Sequence, residues 1–182
     1  MTSVSIYLST NYVAGTGDRL AARCAAHYLS VQDRSAETVE VAHSANGRPY
    51  LVAGEGLLSI SHTGSIWVCA LSDKPLGIDV ECHREKDYSA IVRRHFEPGD
   101  AARTNGADAE FYRLWTARES VIKYFAGSLE AIRGLCFLPQ PSRAGEAVAL
   151  ALRWFASLPE HTMCLCTERA PEAVRLHRIE DI

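Results

Sequence analysis

In the stretch LWTARESVIKYF, residues 114–125, Glu119 and Lys123 stand one helical turn apart, with Trp115 and Arg118 beside them. A Glu–Lys pair at i,i+4 is a common surface decoration worth about 0.2–0.5 kcal/mol. A pair on the boundary of a core is also a candidate for acid–base work, because partial burial perturbs proton affinity. At 100° per residue, Phe111, Leu114, Trp115, Val121, Ile122 and Phe125 form one apolar stripe, with Arg118 near its middle and Glu119 and Lys123 on its edge. An arginine in that position must meet an anion, either an internal carboxylate or a ligand phosphate.

A second pair lies in LGIDVEC, residues 76–82. Strand alternation sends Ile78, Val80 and Cys82 to one face and Asp79 and Glu81 to the other. The two carboxylates then stand about 7 Å apart and repel by roughly 2 kcal/mol at an effective dielectric near 20. On a solvated face, water and salt remove most of that repulsion. On a partly buried face a hard divalent cation, Mg²⁺ above all, offsets it, since Mg²⁺ takes few protein carboxylates and completes its shell with phosphate oxygens. Read alone, the D-x-E spacing allows either, and it also allows a Mg²⁺ phosphohydrolase on an unrelated fold.

Upstream, SISHTGS places Ser61 and His62 where one strand turns into the next. Adjacent strand residues face opposite ways and the chain has no G-x-S-x-G elbow, so a serine hydrolase is excluded. A polar corner that holds a ligand phosphate and a turn capped by Ser and Thr are the two remaining readings.

These side chains need elements to carry them. Residues 1–8 alternate as a strand, and residues 18–29 read as a helix with Asp18 as N-cap. An extended stretch near residues 38–41 leads into the turn-rich SANGRPY. Strands over 57–61, 66–71 and 76–82 then form a three-stranded antiparallel meander. From Asp87 the pattern turns helical: YSAIVRRHF, a stop at EPGD, and a long helix over 108–125. Pro139, Pro141 and Gly145 mark a loop before strands near 147–154, 163–167 and 173–176. The charged CHREKD, residues 82–87, is the natural boundary between halves.

The chain has 182 residues, of which 47% are hydrophobic and 23% charged, enough to bury a core without staples. A formal net charge of −3 excludes a global basic field and with it a nucleic-acid binder held by phosphate neutralisation. Only three of the 19 basic residues are lysines, Lys74, Lys86 and Lys123, so proton-donating cations are scarce. Six cysteines, Cys24, Cys69, Cys82, Cys136, Cys164 and Cys166, lack metal spacing and read as buried thiols, with Cys164 and Cys166 of MCLC on one strand face. Without a signal-like start or an apolar run of about 20 residues, the expectation is a reduced cytoplasmic protein with no membrane partner.

Taken together and in this order, ISHTG, GIDVE and FYRLWTARESVIK, between about Gly47 and Leu129, resemble the 4′-phosphopantetheinyl transferases in their two-lobed, single-chain, surfactin-synthetase-activating form. The resemblance implies a pseudo-symmetric α+β fold, each lobe a helix on a small mainly antiparallel sheet, with lobes at residues 1–84 and 85–182 and the site between them. It implies Mg²⁺-dependent transfer of 4′-phosphopantetheine from CoA, the co-substrate, to a serine of an acyl or peptidyl carrier protein, releasing 3′,5′-ADP. Carried over by position, Asp79, Glu81 and Glu119 form the Mg²⁺ site. Ser61, His62 and Asp79 contact the CoA phosphate region, and Arg48, Arg19 and Arg23 the nucleotide end. Glu119 acts as base, and Lys123 neutralises or protonates the leaving group.

The sequence departs from the family pattern in places. Only Ser9–Gly17 separate the first strand from its helix, Arg118 replaces a lysine, AGSL replaces a Gly-x-Gly, and Asp100 stands where glutamate is usual. The alternative function is a CoA- or carrier-binding relative with weak or lost transferase activity. The expected carrier is acidic, with Arg93, Arg94 and Arg103 as candidate contacts, and the expected state is a monomer.

Overall fold

Residues 3–9 alternate, and the strand they form is buried on both faces. The computed structural model describes residues 3–34, 38–52, 56–104, 108–127, 132–138, 140–156 and 158–182. The first half contains β1 (Ser3–Ser9), α1 (Gly17–Ser30), β2 (Val41–His43), β3 (Pro49–Leu51), β4 (Leu57–Thr63), β5 (Ile66–Ser72) and β6 (Leu76–Cys82). Next come α2 (Ser89–His95), α3 (Pro98–Ala101) and α4 (Asp108–Tyr124). The short strands β7 (Leu135–Cys136), β8 (Ser142–Arg143) and β9 (Glu146–Ala147) precede β10 (Ala151–Phe155), β11 (His161–Thr167) and β12 (Ala173–Arg178). The architecture is mixed α+β.

Alternation explains the layering. One face of the sheet β12-β1-β5-β4 carries Tyr7, Trp67, Cys69 and Leu71 against Ala21, Cys24, Ala25, Tyr28 and Leu29 of α1. Its other face, with Val4, Ile6, Leu8, Val68 and Ala70, packs on Leu76, Ile78, Val80, Met163 and Leu165 of the sheet β10-β11-β6. The far face of that second sheet turns Cys164 and Cys166 toward Leu114, Ala117 and Val121 of α4. Both thiols of MCLC thus share one face, as alternation requires. The sequence of layers is helix, sheet, sheet, helix.

The expected meander does not form. β4 and β5 pair antiparallel, but β6 joins β11 along its whole length, from Leu76↔Thr167 to His161↔Cys82. Its apolar residues then face the first sheet as a second layer instead of extending it. The edge of β6 beside β4 is met by side chains: Ile78 N donates to Ser59 Oγ at 3.0 Å and Val80 N to Ser61 Oγ at 3.4 Å. These hydroxyls replace ladder acceptors that the buried N–H groups would otherwise lack.

Strands also cross the expected boundary at residues 84 and 85. β6, from the first half, completes the sheet of β10 and β11, and β12, from the second half, pairs parallel to β1. The connection after β6 is pinned to α4. Arg84 N donates to Tyr112 Oη at 2.7 Å, while His83 stacks on the Tyr112 ring at 4.5 Å and bonds Thr162 at 2.7 Å.

Other expectations shift locally. Asp18 is not the N-cap of α1; the helix starts at Gly17 after Thr16, and Asp18 instead binds His43 Nε2 at 2.9 Å, a tertiary partner that wins over the local cap. The extended stretch near residues 38–41 becomes β2 at 41–43, the EPGD stop contains the one-turn α3, and the strand expected over 147–154 is divided between β9 and β10. Of AGSL, Ser128 and Leu129 lie outside the described residues. Among the described residues no helix is long and apolar enough to cross a membrane.

Candidate active site

The far face of β6 presents Gly77, Asp79 and Glu81 to α4, and the glycine decides how close the two elements come. A Cβ on Gly77 would lie 1.9 Å from the Ser120 carbonyl oxygen. No other residue type allows this approach, and the small Ala117 and Ser120 complete the contact from the helix side. Trp115 meets Glu81 while Ser120 and Tyr124 meet Gly77, so the helix runs opposite to the strand. Glu119 and Lys123 are thereby carried past the two carboxylates.

One cleft of about 390 Å³ is lined by Ile60, Ser61, His62, Asp79, Glu81, Trp115, Glu119 and Lys123. Six of these are residues that sequence reasoning singled out for this chemistry, and Trp115 is the tryptophan of the same helix motif. Asp79 is 3% exposed, and its Oδ1 accepts from Lys123 Nζ and from Ser61 Oγ, each at 2.7 Å. Its Oδ2 is buried with no partner among the described residues. Glu81 accepts from Trp115 Nε1 at 3.2 Å. No hydrogen bond among the described residues engages the Glu119 carboxyl.

Burial, and then the charge of Asp79, holds both Glu81 and Glu119 above the usual carboxylate range; the indole N–H and Lys123 pull Glu81 back in part. Three carboxylates share one lysine, so the site carries more negative charge than its own cation balances. A buried oxygen without a partner, beside two carboxyls of raised proton affinity, is a place where a cation could bind, and an all-oxygen donor set would suit a hard one such as Mg²⁺. Among the described residues no group of three or more His, Cys, Asp or Glu side chains converges closely enough to hold a metal ion by itself, Asp79, Glu81 and Glu119 included. A Mg²⁺ ion bound there would need substrate oxygens and water to complete its shell.

A second cleft, about 190 Å³, adjoins the first and shares Ile60 and Lys123 with it. Arg48, Gly47, Pro49, Ser59 and Gly127 line it as well. Arg48 follows Gly47, whose φ of +79° closes the β2–β3 turn. His62 is exposed, with its ring 5.0 Å from that of Tyr12.

Arg19 and Arg23 are not brought to either cleft. Both are exposed on α1, and Arg23 donates to the Ile182 carbonyl. Arg93 borders a separate groove of about 610 Å³ with Tyr88, Val92 and Phe111. Arg94 lies beside Arg118 in another cleft, and Arg103 beside Arg113 in a third.

Arg118 packs in the core. Its guanidinium is 4.9 Å from the Phe96 ring centre and 4.7 Å from that of Phe137, and its Nη2 is 3.8 Å from Asp100 Oδ2, while Nε and Nη2 make no hydrogen bond among the described residues. Asp100 is fully buried and also accepts from Phe137 N at 3.0 Å and Leu138 N at 3.4 Å. An internal carboxylate is thus the anion that the structure places beside this arginine. Sequence reasoning missed Asp100 as that partner, Trp115 as the donor to Glu81, and Asn46, which bonds the end of α4. Only the Asn-Gly pair in the SANGRPY turn carried a local signal, and it signalled the turn alone.

The family model described as the 4′-phosphopantetheinyl transferase superfamily matches residues 75–170, just over half of the 182. A 4′-phosphopantetheinyl transferase of Bacillus subtilis is 35% identical over 83 residues, 42% of this chain and 37% of the relative. The 4′-phosphopantetheinyl transferase AcpT of Salmonella typhi is 31% identical over 97 residues, 49% of this chain and 50% of the relative. The transferase gsp of Aneurinibacillus migulanus is 36% identical over 70 residues, 36% of this chain and 29% of the relative. The chain spans half or less of the length of these relatives. The matched segment runs from β6 through α4 to the end of β11 and so contains Asp79, Glu81, Glu119 and Lys123, and the chain belongs to the 4′-phosphopantetheinyl transferase superfamily.

Proposed function

We propose that this protein transfers 4′-phosphopantetheine from CoA to a serine of an acyl or peptidyl carrier protein and releases 3′,5′-ADP, with Mg²⁺ held by Asp79, Glu81 and Glu119. The observation that carries the reading is the orphaned Asp79 Oδ2 between two carboxyls of raised proton affinity, one cleft away from Arg48. In this reading the site lies between two pseudo-symmetric lobes, residues 1–84 and 85–182, of a monomeric cytoplasmic enzyme. β6 comes from the first of these ranges and α4 from the second.

The carrier serine Oγ bonds to the phosphorus that bears the pantetheine arm, and the bond from that phosphorus to the bridging oxygen breaks. Glu119 takes the serine proton; a carboxyl already biased toward protonation by burial suits that role. Lys123, which lines both clefts, neutralises the oxygen that departs with 3′,5′-ADP. Ser61 and Lys123 hold Asp79 in place through its Oδ1, and Trp115 holds Glu81. Arg48 and His62 receive the nucleotide end and the phosphates. The chemistry Mg²⁺ supplies when bound is neutralisation and polarisation of the pyrophosphate. Arg93 and the groove it borders are the proposed meeting point for an acidic carrier.

The test is incubation with CoA, Mg²⁺ and a panel of apo carrier proteins, with each carrier weighed by mass spectrometry. A gain of one phosphopantetheine, lost on chelation and slowed about 10²–10⁴-fold by Glu119→Gln with carrier saturating, is expected. No gain on any carrier would sink the proposal. The second reading, a CoA- or carrier-binding relative with weak or lost transfer, draws on the engagement of Arg23 by Ile182, which leaves α1 contributing no basic group to either cleft. Binding of CoA without modification of any carrier selects it.

A further inference from the structure

The turn that carries Arg48 is fastened at its tip. Asn46 Nδ2 donates to the Ala126 carbonyl at 2.6 Å, a contact across 80 residues of chain. The turn itself is closed by Gly47 N to Ser44 O at 2.8 Å, Ser44 N to Arg48 O at 2.9 Å and Arg48 N to Ser44 Oγ at 3.1 Å. On the helix side, Ala126 has a φ of +67°, and Gly127 N reaches back to Ile122 O at 2.7 Å. That reversal ends α4 and leaves the Ala126 carbonyl to an outside donor.

Ala126 lies three residues beyond Lys123, and Asn46 two before Arg48. The turn and the helix end are the two walls of the second cleft, and both basic residues line it. Its other flank is tied as well: His43 bonds Gly47 O at 3.1 Å and Asp18 at 2.9 Å. The hairpin thus spans from α1 to the end of α4, and Asn46 is its fastening on the α4 side.

We infer that Asn46 is a positioning residue: its bond to Ala126 sets the gap between Arg48 and Lys123, so that the cleft meets the nucleotide end of CoA already formed. This rests on the transferase reading above. A cleft closed only part of the time binds more weakly by the closed fraction, while the chemical step at Glu119, in the neighbouring cleft, is untouched once the ligand is seated.

Asn46→Ala is expected to raise the KM for CoA and the Kd for 3′,5′-ADP together by about three- to tenfold, the size of its exposed bond to Ala126, since its other side-chain bond, accepted from Ser44 Oγ, lies within the turn. kcat is expected to stay within about twofold, since the bond touches no reacting group. Asn46→Gln, which keeps the donor, recovers part of the loss; Asn46→Asp, which sets a carboxylate against the carbonyl, recovers none. A wild type that binds 3′,5′-ADP no tighter than Asn46→Ala does overturns the inference and leaves the transferase reading standing. Rescue by Asn46→Asp, or a fall of kcat and thermal stability in step with affinity, overturns it in the same way. A wild type that binds neither CoA nor 3′,5′-ADP overturns both.

Discussion

Gly77→Ala tests whether the approach of α4 to β6 sets the site. The new Cβ would lie 1.9 Å from Ser120 O, 2.6 Å from Tyr124 N and 3.0 Å from the Ser120 carbonyl carbon. All three are backbone atoms, so no rotamer change relieves them. Ordinary contact begins at 3.4 Å, and the helix must therefore retreat by about 1.5 Å. The rigid indole of Trp115 cannot follow Glu81 across that distance, and the 3.2 Å bond between them opens. Overpacking against backbone costs about 3 kcal/mol, the upper part of the usual range, which for a chain of this length lowers Tm by about 6–12 °C. Misplacing Glu119 and Lys123 by about 1 Å or more costs transfer about 10²-fold at temperatures where the variant is still folded. The assay pairs thermal unfolding by circular dichroism with the carrier mass assay well below the transition. A variant whose Tm stays within about 2 °C and whose rate stays within about threefold would refute the claim that this glycine positions the site.

Asp100→Ala removes the partner of Arg118 and the acceptor for Phe137 N and Leu138 N; it is expected to cost about 3–5 kcal/mol in urea unfolding, with Asp100→Ala/Arg118→Met costing less than Asp100→Ala alone. A loss below about 1 kcal/mol for the single variant would show that the buried guanidinium does not depend on this carboxylate. The His43 imidazole is held above its ordinary value by its bond to Asp18 and then by Gly47 O, so its proton stabilises the folded hairpin. That contribution is complete below the ordinary histidine value of about 6.5 and fades as pH rises through the higher folded value. Asp18→Asn is expected to lower the His43 pKa measured by NMR titration; an unchanged midpoint would remove the carboxylate as its cause.

What the sequence made legible was what one element encodes by itself. LGIDVEC announced its two faces, and the structure seats Ile78 and Val80 in one core while Asp79 and Glu81 face α4. The helix expected over 108–125 forms over Asp108–Tyr124 because its apolar stripe is continuous. What stayed hidden depended on partners far along the chain. β6 leaves its neighbours for β11, about 80 to 90 residues on, because that pairing closes a second sheet over the same apolar face. Asp18 looked like a cap by local rules and was claimed by His43. Arg118 plainly needed an anion, but nothing local distinguished Asp100 from a ligand phosphate.

The parallel pairing of β1 with β12 joins Ser3 to Ala173 and Leu8 to Arg178, nearly the full length of the chain. β1 is synthesised well before β12, and one of its edges stays open until residues 173–178 leave the ribosome. Val4, Ile6 and Leu8, fully or almost fully enclosed in the finished protein, have no completed sheet to enter before then. Closing so long a loop is entropically slow, and an open edge flanked by apolar residues is a template for other chains. A ribosome stalled before residue 173 would therefore expose a strand ready to aggregate, and holding that edge until the end is a task the fold leaves to the cell.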